Sequence, residues 1–203
     1  MQTKTNYKFP DWFKLNIPNF ELIKSNLPVR KNVLEIGSFE GRSASWILQN
    51  FLEPDGTLIC VDTFEGSPEH NNKGDLSTIY DRWHHNTNLA RGKKQTCKAY
   101  RNKSYDALAQ LITEKARFDF IYVDGGHTAP EVLADACMSW DLLNVGGVML
   151  FDDYQWPRPV DEPNPPLKET EKPKLGVNAF ASVYAEKLQV VISNYQLAVL
   201  KIN

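Results

Sequence analysis

Short apolar segments alternate with longer amphipathic segments along most of the chain. The apolar segments predict strands at 33–36, 57–61, 96–100, 118–123 and 148–151. Between them, apolar residues at helical spacing predict helices at 43–51, 77–89, 105–116 and 129–143, and a turn at 144–147 closes the last of these helices. Alternation of this kind indicates a parallel sheet with helices on both faces.

The C-terminal part departs from this alternation. A helix predicted at 177–188 is followed by strands at 189–192 and 196–201, with residues 193–195 as a tight turn between them. Such a hairpin places one antiparallel strand against the parallel sheet. The predicted fold class is therefore α/β: a Rossmann-like, doubly wound, mostly parallel seven-stranded sheet with a C-terminal antiparallel hairpin.

A single domain is expected to contain all of residues 1–203, because this length suits one α/β core. Residues 1–30 predict an N-terminal cap segment of short helices or turns. Prolines recur between 155 and 176 and predict a long loop there. Loops of this length inside a compact domain are uncommon and are usually functional or mobile.

Composition narrows the classes of partner. Hydrophobic residues make up 42% of the chain and charged residues 24%, as in ordinary soluble proteins. The net charge of −2 gives no bulk attraction to nucleic acid or an anionic membrane. No apolar run approaches the roughly 20 residues needed to span a bilayer, and residues 1–8 lack the core of a signal peptide. We therefore expect a cytoplasmic protein without nucleic-acid or membrane partners.

A glycine turn follows the first predicted strand. Glu35, Gly37 and Gly41 form the spacing E-x-G-x-x-x-G, which lets the backbone turn sharply and approach a ligand closely. This spacing lacks the middle glycine that dinucleotide-binding turns place against a pyrophosphate. An acidic residue before the first glycine suits a cationic ligand better than a phosphate. Asp62, which ends the second strand, could accept hydrogen bonds from ribose hydroxyls or could cap a loop.

Carboxylates also follow two later strands. Asp124 begins the segment Asp-Gly-Gly-His, and Asp152 and Asp153 follow the strand at 148–151. Three carboxylates in one cleft repel one another unless a cation neutralises them. Oxygen ligands without cysteine suit a hard cation such as Mg²⁺. The alternative is that these aspartates cap helices and bind backbone amides.

These motifs together resemble those of the class I S-adenosylmethionine-dependent methyltransferases over residues 33–154. The resemblance is greatest to the small bacterial group with D-G-x-H after the fourth strand and D-D-Y after the fifth, which is similar to macrolide sugar O-methyltransferases. It implies S-adenosylmethionine as cofactor. The cofactor-binding residues that it implies are Glu35, Gly37, Ser38, Gly41 and Ser43, with Asp62 at the ribose, Asn102 and Ser104 near the adenine, and Asp124.

The same resemblance implies a Mg²⁺ site formed by Asp124, Asp152 and Asp153, and catalytic roles for Asp124 and His127. His127 would act as a general base, unless it simply caps the following helix. The implied reaction is metal-assisted O-methylation of a small hydroxylated substrate. A non-catalytic S-adenosylmethionine-binding module is the alternative, and a nicotinamide-dependent oxidoreductase is disfavoured by the glycine spacing. The sequence leaves open the methyl acceptor and the oligomeric state, a homo-oligomer included.

Overall fold

A computed structural model describes residues 4–67, 75–158 and 163–203. The chain divides into two compact units, Met1–Lys103 and Ser104–Asn203. Positions 1–3 of the predicted N-terminal cap segment and positions 159–162 of the predicted loop lie outside the described residues. Within the three described ranges, no helix is both long and apolar enough to cross a membrane. That residues 1–203 form a single domain stays a prediction.

The first unit contains the elements predicted between 33 and 100. Its strands are β1 (Asn32–Ile36), β2 (Thr57–Asp62) and β3 (Thr96–Arg101), and its helices are α1 (Ile17–Asn26), α2 (Arg42–Trp46) and α3 (Ile79–Ala90). The strands are parallel, with β2 between β1 and β3. A turn of π-helix, Ile47–Phe51, follows α2 and buries Ile47, Leu48 and Phe51, the apolar face expected from the sequence.

The second unit adds the other strands and helices. Its strands are β4 (Phe118–Val123), β5 (Leu143–Phe151), β6 (Leu188–Ser193) and β7 (Leu197–Lys201), and its helices are α4 (Ser104–Thr113), α5 (Ala129–Trp140) and α6 (Pro173–Val183). β4 pairs with β5 in parallel, whereas β7 lies antiparallel between β5 and β6. The α/β class, with a mostly parallel seven-stranded sheet that ends in an antiparallel hairpin, is therefore confirmed.

The helix end and the turn predicted before β5 are wrong. α5 ends at Trp140, and residues 144–147 lie inside β5. Gly146 has a left-handed φ of 82° there, and the register between β4 and β5 shifts at this place. A Cβ on Gly147 would lie 2.8 Å from a side-chain carbon of Leu143. The two glycines therefore allow an irregular, closely packed start to a strand, which in sequence has the composition of a helix end.

The last helix also differs from its predicted bounds of 177–188. α6 starts at Pro173, because proline fits the first turn of a helix, where its missing N–H leaves no hydrogen bond unmade. A Cβ on Gly176 would lie 2.2 Å from the carbonyl oxygen of Ala129, so glycine allows α6 to pack closely against α5. The predicted loop at 155–176 is accordingly shorter and ends in helical structure.

Candidate functional site

The glycine turn of the first unit has the backbone that its sequence predicts. Gly37 and Gly41 have left-handed φ values of 85° and 77°. The Gly37 amide donates a hydrogen bond to the Val61 carbonyl at 2.9 Å, which continues the pairing of β1 with β2 into the turn. A Cβ on Gly41 would lie 3.0 Å from Cδ1 of Trp83. The turn therefore requires glycine at both positions, and at Gly41 the close packing against Trp83 requires it as well.

Glu35 is the penultimate residue of β1, and its carboxyl group is fully buried. Its Oε2 accepts hydrogen bonds from the Ser38 hydroxyl and, at 3.3 Å, from the Cys60 thiol. Its Oε1 has no hydrogen-bond partner among the described residues. Burial raises the pKa of Glu35 to about 7, although the hydroxyls of Ser38 and Ser43 act in the opposite direction. A buried acceptor atom of this kind is costly until a donor, best a cation, reaches it.

Asp62 stabilises the same turn. Its Oδ2 accepts hydrogen bonds at 2.7 Å from the backbone amides of Ser38 and Phe39, and its Oδ1 accepts one at 2.6 Å from the amide of Phe64. The loop-capping role considered from the sequence is thus present. A carboxylate oxygen can accept two hydrogen bonds, so these contacts are compatible with ribose binding as well. The ribose role of Asp62 stays a prediction.

A buried ion pair behind the glycine turn was missed by the sequence analysis. Nε of Arg82 lies 2.6 Å from Oε1 of Glu40, and both side chains are at most 3% exposed. The Glu40 carboxylate also accepts hydrogen bonds from the backbone amides of Lys8 and Phe9. Charged residues in a surface loop and on an amphipathic helix gave no signal that they would be buried together. The pair ties the N-terminal segment to the turn.

Asn102 and Ser104, predicted near an adenine, follow β3. The backbone amide of Asn102 donates to the carbonyl of Asp62 at 3.2 Å, and its side chain is exposed. The Ser104 hydroxyl bonds to the Asp135 carboxyl group and lowers its pKa, although burial dominates and raises that pKa to about 6. The structure therefore places Asn102 next to the end of β2, while Ser104 contacts α5.

The second unit brings Asp124, His127 and Asp153 together. One potential metal-ligand atom from each lies within 4.8 Å of the others, and all three residues are half-buried. Nε2 of His127 is 3.2 Å from Oδ2 of Asp153. Asp124 follows β4, and Asp153 follows β5, so the parallel pairing of these strands explains the approach of the two carboxylates. The two carboxylates fit a hard divalent cation, and the imidazole beside them can ligate a metal or accept a proton.

Asp152, the third predicted ligand, is not in this group. Its Oδ2 accepts a hydrogen bond from the Tyr122 hydroxyl at 2.5 Å. Its Oδ1 accepts bonds at 2.9 Å from Nε2 of Gln196 and from the backbone amide of Asp153. The structure thus unites two of the three predicted carboxylates and adds His127 to them. Tyr122 and Gln196 were missed, although a tyrosine and a glutamine in apolar strands are a recognisable signal of buried hydrogen bonds.

His127 does not cap the following helix, which was the alternative to a chemical role. Thr128 is the N-cap residue of α5, and Glu131 completes a capping box with it. Glu131 lies so close to the preceding loop that a Cβ on Gly126 would be 2.6 Å from the Glu131 Cβ and 2.7 Å from its Oε2. The His127 ring instead lies 5.5 Å from the ring of Trp156.

Known protein families match the part of the chain that contains most of these candidate site residues. A family model described as a methyltransferase domain matches residues 34–154. Uncharacterized protein R132 of Acanthamoeba polyphaga mimivirus is 31% identical over 126 residues, which are 60% of this chain and 51% of that protein. The chain therefore spans about half the length of this curated relative.

Solved structures share the fold. The O-methyltransferase TomG from Streptomyces achromogenes, determined in complex with S-adenosylmethionine, superposes with a TM-score of 0.62 at 20% identity, over 92% of this chain and 80% of that chain. The MycE methyltransferase of the mycinamycin biosynthetic pathway, in complex with Mg and S-adenosylhomocysteine, superposes with a TM-score of 0.57 at 16% identity, over 96% and 51% of the two chains. At these identities the likeness is one of fold.

Proposed function

The chain belongs to the methyltransferase domain family, and from this premise we propose that it transfers the methyl group of S-adenosylmethionine to a hydroxyl group of a small molecule. The proposal rests on the buried carboxyl group of Glu35. This fully buried group lies near the end of β1, two residues before Gly37 of the glycine turn, and its Oε1 has no hydrogen-bond partner among the described residues. The α-ammonium group of S-adenosylmethionine is a positively charged hydrogen-bond donor, and such a donor is the partner that this atom requires.

The cofactor site in this proposal consists of the glycine turn and its surroundings. Gly37, Ser38, Gly41 and Ser43 join Glu35 around the methionine part, Asp62 binds the ribose, and Asn102 and Ser104 approach the adenine. A buried carboxyl group beside the turn would repel a pyrophosphate, which disfavours a nicotinamide dinucleotide. The proposal therefore keeps the sulfonium cofactor and rejects the oxidoreductase.

The chemistry in the second unit follows from its carboxylates. Asp124 and Asp153 would hold Mg²⁺ or a similar divalent cation, and Asp152 would orient Asp153 through its backbone amide. When bound, such a cation lowers the pKa of a substrate hydroxyl. His127 accepts the hydroxyl proton at a ring nitrogen. The substrate oxygen then forms a bond to the methyl carbon, the carbon–sulfur bond breaks with its electron pair remaining on sulfur, and S-adenosylhomocysteine leaves.

Transfer of labelled methyl groups to hydroxylated acceptors would separate this enzyme from a module that only binds the cofactor. The cytoplasmic location and the small-molecule acceptor remain parts of the proposal.

Calorimetric titration with S-adenosylhomocysteine tests the cofactor site. Glu35→Gln keeps the shape of the side chain and removes its charge, so affinity should fall by about 10-fold or more, as expected for loss of a charge-assisted hydrogen bond. Glu53→Gln is the matched control, because the Glu53 side chain accepts a hydrogen bond from the Arg30 amide at 3.0 Å, which glutamine can also accept. Equal affinities of the wild type and Glu35→Gln, or equally tight binding of NAD, would contradict the proposal.

A further inference from the structure

The turn of the C-terminal hairpin reaches both aspartates that follow β5. The pairing of Phe151 with Leu197 in β5 and β7 brings the residues just beyond them side by side. Gln196 is 1% exposed, and its Nε2 donates to Oδ1 of Asp152 at 2.9 Å. The Tyr195 hydroxyl donates a hydrogen bond to Oδ1 of Asp153. Two consecutive residues of one turn therefore bind two consecutive carboxylates.

The Tyr195 bond restrains the Asp153 carboxylate beside His127. Tyr195 donates to Oδ1, and the other oxygen, Oδ2, lies 3.2 Å from Nε2 of His127. Asp153 has a left-handed φ of 52°, which is uncommon for a residue with a side chain, although aspartate adopts it more readily than most. The Gln155 amide donates to the Tyr195 carbonyl at 3.2 Å, which fixes the backbone just after Asp153 to the same turn.

The turn itself does not need these two side chains to close. The Gln196 amide donates to Oδ1 of Asn194, and the Asn194 amide donates to the Gln196 carbonyl, both at 2.9 Å. An apolar side chain could fill the buried position of Gln196 without the cost of desolvating an amide. The side-chain amide of Gln196 and the hydroxyl of Tyr195 instead donate to the aspartates.

We infer that Tyr195 and Gln196 are positioning residues for the cation site: Tyr195 holds Asp153 directly, and Gln196 holds Asp152, whose Oδ1 accepts the backbone amide of Asp153. The inference rests on the proposed function, because the cation site belongs to it. Groups that donate hydrogen bonds to metal-binding carboxylates orient these ligands, and their loss typically weakens metal binding 10- to 100-fold. The hairpin is then part of the site as well as the edge of a sheet.

Titration of the full chain with Mn²⁺, followed by electron paramagnetic resonance, measures this directly. Tyr195→Phe and Gln196→Met should each bind Mn²⁺ about 10-fold more weakly than the wild type. Tyr154→Phe is the control for the hydroxyl, because Tyr154 donates to Asn178 at 3.0 Å instead of to an aspartate. Its Mn²⁺ affinity should equal that of the wild type.

A second control separates positioning from stability. Gln95 is a buried amide of the first unit that donates to the Leu48 carbonyl at 2.9 Å. Gln95→Met should lower the melting temperature and leave the Mn²⁺ affinity unchanged. Unchanged affinity in folded Tyr195→Phe, or in Gln196→Met with a lowered melting temperature, overturns the inference alone. A wild type that binds no Mn²⁺ overturns the proposed cation site and the inference with it. If Gln196→Met fails to fold, Tyr195→Phe, which loses a single oxygen atom, decides.

Discussion

The buried carboxyl group of Glu35 predicts an unusual dependence of stability on pH. Burial raises its pKa in the folded protein from the ordinary value of 4.5 to about 7. Between these two values the folded protein keeps a proton that the unfolded chain has released. The free energy of unfolding therefore falls as pH rises from about 4.5 to 7, and the loss is complete above pH 7. For a fully buried group, a shift of this size corresponds to about 3 kcal/mol.

Comparison of the wild type with Glu35→Gln isolates this contribution. Glutamine is neutral at every pH, so the variant lacks the loss that ionisation causes. We expect the two proteins to have similar unfolding free energies at pH 5 and the variant to be more stable by about 3 kcal/mol at pH 8. Asp135, whose pKa is raised to about 6, titrates in the same range but is present in both proteins and cancels from the difference.

Urea denaturation at the two pH values, followed by circular dichroism, measures the difference. Saturating S-adenosylhomocysteine should reduce it, because the ammonium group of the ligand stabilises the ionised carboxylate of the wild type and has no such partner in the variant. A difference that is the same at pH 5 and pH 8, or that favours the wild type at pH 8 without ligand, would refute the assignment of a buried, unpaired carboxylate to Glu35.

Three further predictions concern other parts of the two units. Arg82→Met leaves the Glu40 carboxylate buried without its cation and should lower the unfolding free energy by about 3 kcal/mol or more in urea titrations, whereas Lys31→Met, which removes an exposed ion pair, should change it little. Gly41→Ala should cost about 1–2 kcal/mol and weaken S-adenosylhomocysteine binding in calorimetry. Gly146→Ala, also at a left-handed φ but with open space around its Cβ, should leave that binding intact. His127→Ala should lower turnover about 100-fold or more while Mn²⁺ affinity is retained; a loss of Mn²⁺ affinity would make His127 a ligand instead of the base.

The order of strands and helices could be predicted because their apolar periods differ. A fully buried strand such as β4 has a continuous apolar run, and α4 has apolar residues at helical spacing. The predicted bounds of strands and helices are wrong where glycine and proline have a local packing role. Gly146 and Gly147 lie in a strand, and Pro173 begins a helix, whereas each would be expected in a turn or loop on composition alone.

The sequence predicts those residues of the candidate sites that directly follow strands, but not the residues that contact them. In the first unit the glycine turn and Asp62 follow the paired strands β1 and β2, and in the second unit Asp124 and Asp153 follow the paired strands β4 and β5. The partners of these residues come from distant parts of the chain. Tyr195 lies 42 positions after Asp153, and contacts at such separations depend on the hairpin register, which periodicity does not specify.

The close contact between Gly126 and Glu131 has a consequence for altering the enzyme. A Cβ at position 126 would lie 2.6 Å from the Cβ of Glu131, whose position the backbone of α5 fixes, so no side chain fits there unless the start of the helix moves. The second glycine of the Asp-Gly-Gly-His segment is thus a requirement of the helix start. Libraries that aim to change the methyl acceptor should therefore keep position 126 fixed and vary Trp156, whose ring lies 5.5 Å from that of His127.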